Sequence, residues 1–81
     1  MDYDVMEARY VDGYTVWLRF RDGTAGEIDL TDELWGEVFE PLKDVQLFRQ
    51  FFICKPGLTL EWPNGADLAP EFLHDSVKTA V

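Results

Sequence analysis

Met6-Glu7-Ala8-Arg9-Tyr10-Val11-Asp12-Gly13-Tyr14-Thr15-Val16-Trp17-Leu18-Arg19-Phe20-Arg21-Asp22-Gly23 carries the strongest structural signal in the chain. Its apolar side falls on even positions: Met6, Ala8 and Tyr10, then Tyr14, Val16, Leu18 and Phe20. Ile28 and Leu30 continue the pattern. A period of two marks half-buried strands, and each Asp-Gly pair marks a turn. The segment predicts a three-stranded antiparallel meander. A two-residue Asp-Gly turn would set Tyr10 opposite Thr15 and mix the two faces. Three-residue loops with glycine in the left-handed region instead pair Tyr10 with Tyr14, Ala8 with Val16, Phe20 with Thr24 and Val16 with Ile28. Every apolar residue then shares one face.

Beyond the meander, Thr31 reads as the N-cap of a short helix with Asp32 and Glu33 in its first turn. Gly36 ends it, and Pro41 interrupts the chain beyond. A second short helix is expected from Asp44, with Val45, Leu47 and Phe48 facing inward. Phe51 to Lys55 and Leu58 to Trp62 read as a second hairpin about Pro56-Gly57, with Ile53 opposite Leu60 and Phe51 opposite Trp62. Ala69 to about Val77 reads as a C-terminal helix. Pro70 lies in its first turn, and Phe72, Leu73 and Val77 form its apolar side. The expectation is a single α+β domain over residues 1–81.

The 47% apolar and 15% aromatic content separates the chain from disordered sequences. Cys54 is the only cysteine, so no internal disulfide forms. The acidic start Met1-Asp2-Tyr3-Asp4 lacks the pattern of a signal peptide, and no apolar run is long enough to span a membrane. A cytoplasmic location is expected. The formal net charge is -9, and Glu27, Asp29, Asp32, Glu33, Glu37 and Glu40 form a run with no base between them. Such a surface repels phosphate backbones and anionic lipid, which argues against direct nucleic-acid or membrane binding. It fits either plain solubility or a small basic protein partner.

No catalytic, cofactor or metal-binding set emerges. Glu71 and His74 share a helix face, as in di-iron carboxylate bundles, but His74 is the only histidine and a surface helix explains the pair. His74, Asp75 and Ser76 are adjacent on one helix and point apart, which forbids a relay. Cys54 reads as a buried structural thiol. Trp17 falls on the polar face of the meander with Glu7, Thr15, Arg19 and Glu27. Either the C-terminal segment covers it or it meets a partner, with Glu27 and Asp29 as companion contacts. Trp62-Pro63-Asn64-Gly65-Ala66-Asp67 reads as a structural corner. Pro63 stops the strand, Asn64-Gly65 supplies positive φ, and Asp67 accepts backbone N–H bonds. A small-ligand-sensing or weakly enzymatic site at this corner is the alternative.

Trp62-Pro63-Asn64-Gly65-Ala66-Asp67-Leu68-Ala69-Pro70-Glu71 closely resembles the closing motif of small bacterial proteins grouped as domain-of-unknown-function family 2442. Phe20-Arg21-Asp22-Gly23 with Asp29-Leu30 resembles that family's strand–turn–strand core. Val38-Phe39-Glu40-Pro41-Leu42-Lys43-Asp44 and Leu47-Phe48 resemble its central segment. Val45 departs from the proline that many relatives carry after the aspartate. The resemblance implies an α+β fold with antiparallel strands and assigns no catalytic residues. Some relatives continue into a helix-turn-helix domain, an extension not expected in a chain ending at Val81. Others are encoded beside a second small protein, in toxin–antitoxin-like pairs. This context implies an interaction or regulatory module, here the acidic partner of such a pair.

Overall fold

The computed structural model describes residues 3–54 and 58–79. β1 (Val5–Asp12), β2 (Thr15–Phe20) and β3 (Ala25–Asp29) form an antiparallel sheet in that order. Two 3₁₀ turns come next, Thr31–Glu33 and Glu40–Lys43, then α1 (Val45–Phe48). β4 (Phe52–Cys54) pairs with β5 (Thr59–Glu61), and α2 (Pro70–Thr79) closes the chain. The fold is therefore α+β. The second hairpin lies against β1 and α2 lies against β3. The Pro56-Gly57 turn falls outside the described residues.

The core sits on the even-numbered face of the meander. Val16, Leu18, Phe20, Ile28 and Leu30 are buried there beneath Phe48, Leu60, Trp62, Leu73 and Val77. The second hairpin's expected pairing of Ile53 with Leu60 is present. So are Val16 opposite Ile28 and the bond from Phe20 N–H to Thr24 O (2.8 Å).

The β1–β2 register differs from expectation. Tyr10 pairs with Val16 and Ala8 with Leu18, while Asp12 meets Thr15 across Gly13-Tyr14. A bulge between Tyr10 and Asp12 absorbs one residue, so the shift preserves which side chains face inward. A second irregularity between Val5 and Glu7 turns Val5 into the core and leaves Met6 exposed, reversing the roles alternation gives them. Four further expectations fail. Thr31 lies inside its 3₁₀ turn instead of capping it. Leu47 and Phe72 are exposed, because the helices that carry them cover the core with Phe48 and with Leu73 and Val77. Cys54 is only half-buried, opposite Thr59. Asp44 does cap α1, accepting the Gln46 N–H at 2.9 Å.

Two turns in distant parts of the chain are built alike. In Phe20-Arg21-Asp22-Gly23-Thr24 the Gly23 N–H donates to Phe20 O (3.0 Å). In Trp62-Pro63-Asn64-Gly65-Ala66 the Gly65 N–H donates to Trp62 O (2.9 Å), and Trp62 N–H donates to Ala66 O (2.8 Å). Both glycines have φ +92. Asp22 Oδ1 accepts the Thr24 N–H (2.9 Å), and Asn64 Oδ1 accepts the Ala66 N–H (3.1 Å). A Cβ at either glycine meets open space, so a substitution would be opposed by backbone conformation and not by crowding. Gly23→Val and Gly65→Val are each expected to cost roughly 1–2 kcal/mol, because a β-branched residue resists positive φ. Urea denaturation checks this, and unshifted midpoints in both variants would contradict it.

Candidate functional site

On the outer face of the meander Trp17 stands between Arg9 on β1 and Glu27 on β3. The C-terminal segment does not cover it. A Cβ on Gly26 would meet Val77 Cγ1 at 3.0 Å, which puts α2 on the opposite face of the sheet. The Arg9 guanidinium lies 5.0 Å from the Trp17 ring centre instead. Arg9 also bonds Glu7, and Arg19 reaches Glu7 at 3.4 Å. The Arg9 hydrogen bond is the main cause holding the Glu7 carboxyl below its usual range. This face is charge-mixed, with two arginines beside two glutamates.

Asp29, expected to contact a partner beside Glu27, has a local role. Its Oδ1 accepts the Thr31 hydroxyl (2.6 Å) and the Thr31 N–H (2.9 Å), opening the 3₁₀ turn that Thr31 was expected to cap. Those bonds hold its carboxyl below the usual value.

The Trp62–Asp67 corner is anchored in the core. Trp62 is fully buried among Phe39, Phe48 and Phe51, and its Nε1 donates to Phe48 O at 2.7 Å. Asn64 Nδ2 donates to Val38 O at 2.9 Å, tying the corner to the acidic segment that precedes it in the chain. Asp67 has an exposed side chain and joins the corner through a backbone bridge to Glu61. The capping expected of Asp67 is carried by Asn64. Pro63 and Gly65 are exposed at the turn, as a chain reversal requires.

Beside the corner lies an open cleft of about 190 Å³. Pro41, Leu42 and Leu47 line one side, and Trp62, Pro63 and Asn64 line another, with Gln50 between these apolar groups. Both polar ends of Asn64 are already bonded, so the cleft offers mainly apolar surface. The chain leading into it carries Trp35, 71% exposed, and Val38, 46% exposed. Asp32, Glu37 and Glu40 are exposed along the same segment, with Lys43 4.0 Å from Glu40. Sequence reasoning passed over Trp35. The available signal was a tryptophan set between Leu34 and Gly36 in the most acid-rich stretch without a lysine or arginine.

His74 also departs from expectation. It is buried, 4% exposed, not on the surface of α2. Its Nε2 meets Asp22 Oδ2 at 2.8 Å, and its ring packs edge-on against Phe20 and tilted against Tyr3. Asp22 is held below its ordinary value first by the Thr24 N–H and then by His74. No cluster of three metal-ligating residues occurs among the described residues, and no helix there is long and apolar enough to cross a membrane.

No curated protein and no solved structure matches the chain. A family model described as a protein of unknown function, DUF2442, matches residues 5–79. That span runs from the first residue of β1 to the last residue of α2, so every strand and helix falls within it. The chain belongs to the DUF2442 family.

Proposed function

We propose that this protein is a non-catalytic docking module for a basic protein partner, acting as the acidic member of a toxin–antitoxin-like pair. The observation that carries the reading is Trp35, 71% exposed within an acidic segment that leads into an apolar cleft. An exposed tryptophan is a common energetic anchor of interfaces. Acids around it steer a basic partner and raise its on-rate. The net charge of -9 extends that attraction over the whole surface. Trp17 with Glu27 offers a secondary contact on the outer sheet face, where the charge is more evenly mixed.

The test is capture of a partner from native lysate followed by binding kinetics. Trp35→Ala is expected to weaken binding by about 2 kcal/mol, roughly 30-fold, mainly through faster dissociation. Glu37→Lys is expected to slow association, and added salt should weaken binding of the wild type. An acidic partner, or one indifferent to Trp35 and salt, would overturn the reading. The cleft favours a second reading, in which it binds a small apolar ligand. Thermal stabilisation by an apolar fragment, lost in Leu47→Glu, would support that alternative.

A further inference from the structure

The two edges of the meander differ. At β1 the Val5 N–H already donates to Leu58 O (2.8 Å), so the second hairpin occupies part of that edge. β3 is the other edge. Phe20 N–H donates to Thr24 O and Leu30 N–H to Tyr14 O, so even-numbered residues exchange the backbone bonds between β2 and β3. Gly26 and Ile28 therefore turn their backbone groups toward β2. Those of Ala25, Glu27 and Asp29 point away from the sheet. Among the described residues no backbone bond joins these three to another element. All three are exposed, and Val77 places α2 over the inner face of β3.

We infer that the open edge of β3 is a strand-addition site for an extended, basic segment of a partner protein. The outward N–H and C=O groups supply main-chain bonds, and side chains at alternate positions supply specificity. On the outer face, lysine or arginine in the added strand would stand beside Glu27 and Asp29 at cross-strand distance. Thr31 donates its N–H and hydroxyl to the Asp29 carboxylate. Charge argues against a second copy as the occupant. Two β3 edges paired antiparallel would bring the Glu27 and Asp29 of one chain against the same acids of the other, and opposed like charges destabilise a sheet. The site is distinct from the Trp35 segment and shares with it only the basic character of the partner.

The probe is a short capped peptide of alternating lysine and valine, with amide hydrogen exchange read residue by residue. At saturating peptide, the amides of Ala25, Glu27 and Asp29 are expected to exchange about tenfold more slowly. Those of Gly26 and Ile28, already bonded to β2, should change little. A glutamate–valine peptide should protect nothing. Glu27→Pro removes an outward N–H that makes no bond within the sheet, so it should abolish protection while the circular dichroism spectrum is kept. Glu27→Lys, which leaves the backbone intact, should weaken peptide binding about tenfold. Absence of protection at all three amides, or wild-type binding by both variants, would overturn the inference. Protection confined to the region of Trp35 would also overturn it, while leaving the Trp35 reading in place. Edge protection together with a partner indifferent to Trp35 would support the edge and sink that other reading.

Discussion

Trp62→Ala is expected to lose about 3–5 kcal/mol of stability, the range seen when a large buried aromatic is truncated. A domain of this size has total stability on the order of 5–15 kcal/mol, so the variant should be largely unfolded at moderate urea. The reason is local and specific. Trp62 is fully buried among three phenylalanines, and its Nε1 supplies a hydrogen bond to the Phe48 carbonyl at the end of α1. Trp62→Phe separates the two contributions. It keeps most of the ring packing but leaves that carbonyl without its donor, at a cost of about 1–3 kcal/mol. Trp35→Ala is the control: an exposed tryptophan should leave the urea midpoint almost unmoved. Similar midpoints for Trp62→Ala and Trp35→Ala would contradict the assignment of Trp62 to the core.

His74→Ala is expected to cost about 2–3 kcal/mol, from the lost ring packing against Phe20 and the lost tie to Asp22. The effect should concentrate at α2, where amide exchange should rise first. Asp22 adds a pH dependence with a definite sign. Its folded carboxyl lies below its ordinary value of 3.8 because Thr24 and His74 donate to the charged form. A depressed carboxyl contributes stability above its unfolded pKa and loses it as pH falls through the folded one. Acid titration of unfolding should therefore show stability declining below about pH 4, with a shallower decline in Asp22→Asn. Asp29 acts in the same direction, so the decline should not vanish in the single variant. An identical acid limb in wild type and Asp22→Asn would refute a role for Asp22.

The sheet was legible because side-chain alternation survives local irregularity. Val16, Leu18, Phe20, Ile28 and Leu30 face the core as their spacing requires. The β2–β3 loop was legible because a three-residue loop over Arg21-Asp22-Gly23 keeps the faces apart and is the loop that forms. At β1 the same argument gave the correct face for Ala8 and Tyr10, the wrong face for Met6, and the wrong partners. A bulge changes both the strand partners and the local side-chain parity, as Val5 and Met6 show, and composition alone carries no trace of it. Asp29 took the capping role expected of Thr31, accepting its N–H and hydroxyl, because either side chain can accept the first free N–H groups of the turn.

His74 was readable in principle. Pro70, Leu73, His74 and Val77 fall at the spacing of one helix face. Treating histidine as a surface residue hid that pattern, and its partner Asp22 lies 52 residues away in the chain, beyond any local signal. The cleft was not legible, since it is formed by side chains from three separate segments. The corner motif was legible as structure, down to its proline and its glycine. Which polar side chain closes it was not.

Asn64 has a consequence for any partner of the acidic segment, whether or not it touches that partner. One end of its amide closes its own turn, and the other holds the Val38 carbonyl. The segment bearing Trp35 thus reaches an encounter with part of its conformational freedom already removed by the fold. Without that bond, the partner itself would have to supply the ordering free energy, and complexes would be weaker with every contact intact. A side-chain amide committed to a turn would in this way set the entropy of a surface far from it in the chain.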